Sequence, residues 1–81
     1  MKYKIGDKVK IISNLENRTY QLESGVSVTV MSADKLKNKV ATITGFYLGH
    51  PDIFYIKGIE GISILVDPIV KPYAGIVLES A

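Results

Sequence analysis

Nine consecutive residues, Lys39-Val40-Ala41-Thr42-Ile43-Thr44-Gly45-Phe46-Tyr47, constrain this chain more than any other stretch. They form its densest run of β-branched and aromatic side chains, the residues that fit a pleated, half-buried surface. A charged turn precedes the run, and a Gly49-His50-Pro51 turn follows it. The run reads as the central strand of a small β domain, against which every other strand pairs or packs. Ala41, Ile43 and Gly45 fall on one face; Val40, Thr42, Thr44 and Phe46 fall on the other. Ala41 is small, as tight packing inside a narrow barrel requires. Gly45 removes a side chain where a strand bends or another backbone approaches.

Four further segments carry strand signals. After the Gly6-Asp7 turn, Val9 and Ile11 alternate with Lys8 and Lys10, the period-2 pattern of a half-buried strand. Val26-Ser27-Val28-Thr29-Val30 alternates most cleanly, its three valines facing one way. Ile53 to Lys57 places Phe54 and Ile56 inward and Tyr55 and Lys57 outward. Gly58-Ile59-Glu60-Gly61 then closes a hairpin with two glycines free to take positive φ. Ile62 to Val66 returns, with Ile62, Ile64 and Val66 expected inward and Leu65 outward. Between the first two of these strands, residues 13–25 are polar and aperiodic and read as a long loop. Two helical turns are expected. Ser32 to Leu36 has Ser32 as its cap, with Asn38 closing it in a left-handed conformation. Asp67 to Val70 has Asp67 as its cap and Pro68 at the first helical position. The sum is an all-β fold: a small five-stranded antiparallel barrel over residues 1–72, followed by a tail, 73–81, whose Ile76 to Leu78 could add an edge strand.

Composition narrows the function. The 81 residues make one domain, 47% hydrophobic and without cysteine, so no thiolate can serve as nucleophile or metal ligand. No apolar run is long enough to span a membrane, and the N-terminus lacks an apolar signal core, which implies a cytosolic protein. His50 is the only histidine, and nothing in the sequence pins it as a base. The aspartates at positions 7, 34, 52 and 67 are explained as turn and cap residues, too few and too scattered for a zinc site. No glycine-rich phosphate loop is present. No catalytic residue, metal or cofactor is therefore assigned, and the chain is read as a binding protein rather than an enzyme.

The opening Tyr3-Lys4-Ile5-Gly6-Asp7-Lys8-Val9-Lys10-Ile11, the strand Lys39-Val40-Ala41-Thr42-Ile43-Thr44 with Met31 before it, and the closing Val66-Asp67-Pro68-Ile69-Val70-Lys71-Pro72 resemble small SH3-like barrel proteins encoded by bacteriophages and prophages. The resemblance covers residues 3–12 and 26–72. The chain departs from it at Ile62-Ser63-Ile64-Leu65, which lacks the family's tryptophan, at Asn38 in place of glycine, and in the tail. The resemblance implies a counter-defence or host-interaction factor, of the anti-CRISPR inhibitor type, acting on a bacterial protein in the host cytoplasm.

Three surfaces suit binding. Tyr47, Tyr55, Lys57 and Leu65, with Tyr73 from the tail, are the candidate partner-binding residues, because tyrosine offers a large rigid face with a polar tip. Lys8, Lys10, Lys35, Lys37 and Lys39 are candidate anion-binding residues, or simply a solvated face. Arg18 and Tyr20 are the recognition-capable residues of the long loop, unless Tyr20 and Leu22 pin that loop to the barrel. A net charge of +2, from nine lysines and one arginine against eight acids, weighs against a dedicated nucleic-acid domain. A host protein is the expected partner. The alternatives are a nucleic acid, bound by lysines with tyrosine stacking, and a nucleotide-like ligand sequestered by an oligomer. A homodimer through the tail and the Tyr55–Leu65 face is also expected.

Overall fold

The computed structural model describes residues 3–73. Seven strands run in the order β1 (Lys8–Ile11), β2 (Thr19–Gln21), β3 (Ser27–Thr29), β4 (Val40–Tyr47), β5 (His50–Lys57), β6 (Ile64–Val66) and β7 (Val70–Pro72). One helical turn, α1 (Ala33–Leu36), lies between β3 and β4, and a 3-10 turn (Asp67–Ile69) lies between β6 and β7. Five strands form an antiparallel sheet ordered β6-β5-β4-β1-β7, and β2 and β3 form a separate hairpin.

The expected central strand is central: β4 lies between β1 and β5, with Ala41 and Ile43 buried beneath it. The sheet has five strands, as expected, but not the expected five. The Val26–Met31 segment pairs with β2 outside the sheet, and β7 takes the fifth place, its Pro72 opposite Val9. Pro72 can serve there because β7 is an outer strand, where a missing N–H costs no ladder bond on the free side.

Among the described residues no hydrogen-bonded ladder closes the sheet into a barrel; β6 and β7 are its two outer strands. Yet the chain passes from Val66 at the end of β6 to Val70 at the start of β7 through the 3-10 turn alone. Four residues reach at most about 14 Å. Four strand spacings laid flat need about 19 Å. The sheet must therefore curl until its outer strands approach each other, and the core fills the concave side. Val9, Ile11, Leu15, Ile43 and Phe54 are the largest fully buried side chains there. Tyr3 and Phe46 each meet the Phe54 ring edge-on, at centroid distances of 5.3 and 5.8 Å.

Residues 13–25 are not one long loop. Thr19–Gln21 pairs with Thr29–Ser27 and buries Tyr20 and Leu22. The Tyr20 hydroxyl accepts a bond from the Glu16 N–H at 3.0 Å, which folds the preceding segment back on the ring. Ser32 makes no side-chain cap on α1. Asn17 does that work from a distance of sixteen residues, its Oδ1 accepting the Ala33 N–H at 2.8 Å. Asn38 closes the turn at φ +65°, as expected.

The turn between β4 and β5 is tighter than expected. Only Leu48 and Gly49 lie outside the strands, Gly49 at φ +78°, while His50, Pro51 and Asp52 already belong to β5. The face assignment in β6 is also corrected. Leu65 is 3% exposed and Ile64 44% exposed, the reverse of the expectation. Pairing with β5 decides this: Leu65 lies opposite buried Phe54, and Ile64 opposite outward Tyr55.

Candidate functional site

Among the described residues, the β4–β5 hairpin gathers three of the six exposed large apolar side chains. Tyr47 ends β4 and is 45% exposed; Tyr55, in mid-β5, is 40% exposed; Leu48 at the turn is 92% exposed. The Tyr47 and Tyr55 rings lie 6.4 Å apart, and the His50 ring lies 5.4 Å from Tyr47. Gly45 lies beside the Tyr55 ring, in a spot where a Cβ would make ordinary contact with it. It is the cross-strand partner of Tyr55, and a Cβ built on it would stand 3.6 Å from the Tyr55 Cδ2. The pairing shifts register between Ile43 and Gly45, so the glycine also marks a bulge. What approaches Gly45 is a ring rather than a backbone. On its other side Tyr55 meets Ile64 of β6, which continues the apolar strip to the sheet edge.

Tyr47 and Tyr55 therefore stand side by side, with Lys57 exposed two residues further along β5. Leu65 does not join them; it is buried under the sheet for the reason given above. Tyr73 is half-buried beyond β7, its N–H donating to the Lys8 carbonyl. Ile76 and Leu78, and with them the expected edge strand and tail interface, lie outside the described residues.

The five lysines do not make one stripe. Lys8 donates to the Thr42 hydroxyl at 2.9 Å, and Lys10 stands opposite Lys71 across β1 and β7. Lys37 pairs with Asp34 at 3.3 Å, on the far side of α1's short span. Lys35 and Lys39 line a cleft with Glu60 beside Gly58 and Ile59.

Arg18 does not reach outward freely either. Its guanidinium lies 3.9 Å over the Tyr20 ring and 3.4 Å from the Glu16 carboxylate, and it donates to the Thr19 carbonyl. Tyr20 is buried, so the pinning role takes it, and its ring is spent on Arg18 and the core. A recess lined by Gln21, Glu23, Asp52, Asp67 and Pro68 is acidic. Among the described residues, no group of three histidine, cysteine, aspartate or glutamate side chains converges on a possible metal position.

One site is illegible in the sequence. A cleft of about 330 Å³ opens between β3 and β6. Its floor is Val30, Leu65, Val66 and Ile69, all buried core residues. Its lips are Ile64 and Met31, the latter 79% exposed. Leu36 and Ile62 complete one end, and both also line the cleft that holds Lys35 and Lys39. The only sequence signal is Met31, which directly follows the alternating Val26–Val30 run.

No protein-family model, curated protein or solved structure matches the chain. Among the described residues no helix is long and apolar enough to cross a membrane.

Proposed function

We propose that this chain is a non-enzymatic protein-binding module whose docking face is the outer surface of β4 and β5. One observation carries the reading: Tyr47 and Tyr55 lie together, exposed, on the most extensively paired hairpin of the fold, with Leu48 beside them. Paired rigid aromatic side chains on a scaffold strand are the anchors that interfaces favour. The curled sheet with a 3-10 turn between its last two strands supports an SH3-like architecture. The sequence resemblance to phage and prophage barrel proteins supports a bacterial host protein as the partner, met in the cytoplasm. The division of the lysines between β1 and the α1 cleft disfavours nucleic acid, which is best held by one continuous basic track.

The test is site-specific photo-crosslinking from position 55 in living bacteria. A discrete protein adduct is expected, lost on Tyr47→Ser and retained on Lys10→Ser. An adduct pattern unchanged by Tyr47→Ser, or recovery of nucleic acid in its place, overturns the reading.

A further inference from the structure

The cleft between β3 and β6 is bounded by two strand edges that pair with no further strand among the described residues. The Ile56 N–H donates to the Ser63 carbonyl, so those two residues form a hydrogen-bonded pair. The next pair, Tyr55 and Ile64, is then non-hydrogen-bonded, and the Ile64 N–H and C=O point away from β5. The same parity holds in the hairpin. Leu22 donates to Val26 and Val30 to Arg18, so the Thr29 backbone groups point away from β2. Ile64 and Thr29 both line the cleft. Its floor is apolar, and it runs at Leu36 and Ile62 into the cleft of Lys35 and Lys39, where two cations face the single carboxylate of Glu60.

We infer that this cleft accepts an extended peptide of a partner protein, added as a strand to the β6 edge, with apolar side chains at alternate positions and acidic residues at the end over Lys35 and Lys39. Unsatisfied backbone groups beside an apolar trough select an extended chain, since main-chain bonds supply affinity while alternate side chains fill the floor. The excess of positive charge at one end sets the polarity of the occupant. This adds a second face to the binding module read from Tyr47 and Tyr55, and Tyr47 lies outside it.

The probe is a fluorescein-labelled synthetic peptide, Val-Thr-Val-Thr-Val-Glu-Glu, titrated with the full chain and followed by anisotropy. Saturable binding is expected in the micromolar range, roughly −8 kcal/mol at 1 μM. Methylating alternate backbone nitrogens of the peptide, in either phase, should abolish binding in the phase that faces β6. Ending the peptide in Lys-Lys should weaken it at least about tenfold, roughly 1.4 kcal/mol. Ile64→Pro removes the outward N–H at an edge position that tolerates proline, and should abolish binding with the melting transition retained. Lys35→Glu, on α1 and outside both strand ladders, should reverse the preference between the two peptide ends. Tyr47→Ser should leave peptide affinity unchanged, which separates this inference from the crosslinking result.

No saturable binding, or equal binding of both methylated peptides, overturns strand addition. Equal affinity for acidic and basic ends overturns the stated occupant. A homodimer that Ile64→Pro dissociates and the peptide fails to disrupt would assign the edge to a second copy instead.

Discussion

Two of this molecule's hairpins, β4–β5 and β2–β3, are made from the same alternating pattern and do different jobs. In β4–β5 two eight-residue strands meet across a two-residue turn. Ile43, Phe54 and Ile56 point into the core, and Tyr47 and Tyr55 point out. In β2–β3 three residues pair with three, the Thr19 and Thr29 hydroxyls bond at 3.0 Å, and Tyr20 and Val30 anchor the hairpin to the core. A two-stranded hairpin is at best marginal alone. The small one therefore exists because the large one gives it a core to sit on. Alternation specifies a strand and its buried face; it does not specify which sheet the strand joins.

The sharpest break in that comparison is Phe54→Ala. Phe54 is fully buried and touches the rings of Tyr3 and Phe46. Truncating such a side chain costs about 3–5 kcal/mol, comparable with the whole stability of a small domain. Both hairpins should melt together, in one transition at a much lower temperature. Survival of β2–β3 amide protection in a molecule that has lost β4–β5 would make the small hairpin independent after all.

Asn17→Ala separates the two regions more finely. It removes the long-range cap on Ala33, a loss of about 1 kcal/mol within the usual range for caps. Hydrogen exchange should speed in β2, β3 and α1 and stay slow in β4 and β5. A uniform acceleration would mean that the cap supports the main sheet directly.

The smallest effect is confined to alkaline pH. Burial raises the Tyr3 hydroxyl above its ordinary 10.0, with Asp67 and then Asp7 adding to the shift. The unfolded chain therefore loses this proton at lower pH than the folded one. The contribution is whole below pH 10 and is lost as pH rises from there through the raised folded value. Tyr3→Phe should flatten that alkaline limb, leaving the β2–β3 amides unaffected at neutral pH. An identical limb in the variant would place the titration elsewhere.

Much of the fold was legible because the residues that decide it are local. The β4 run, the glycines at 58 and 61 with φ +111° and +81°, and the left-handed Asn38 all follow from neighbours in sequence. Ile62-Ser63-Ile64-Leu65-Val66 was not legible in the same way. Four of its five residues are apolar, so its own pattern fits either face, and only pairing with Phe54 fixes Leu65 inside. The Val70–Pro72 strand was hidden by a proline that reads as a breaker until its place at an edge is known. Tyr47 and Tyr55 were legible as outward residues of strands. The cleft was not, since Met31 after β3, Leu36 of α1 and Ile64 of β6 are brought to one cleft only by the fold.

Gly45 carries a consequence for association entropy. The Tyr55 ring rests beside the bare backbone of Gly45 before anything docks. Immobilising a free side chain on binding costs about 0.5–1.5 kcal/mol. A partner that lands on Tyr55 meets a ring whose freedom was already surrendered during folding. A ring already resting on its own strand is thus a cheaper anchor than a free one.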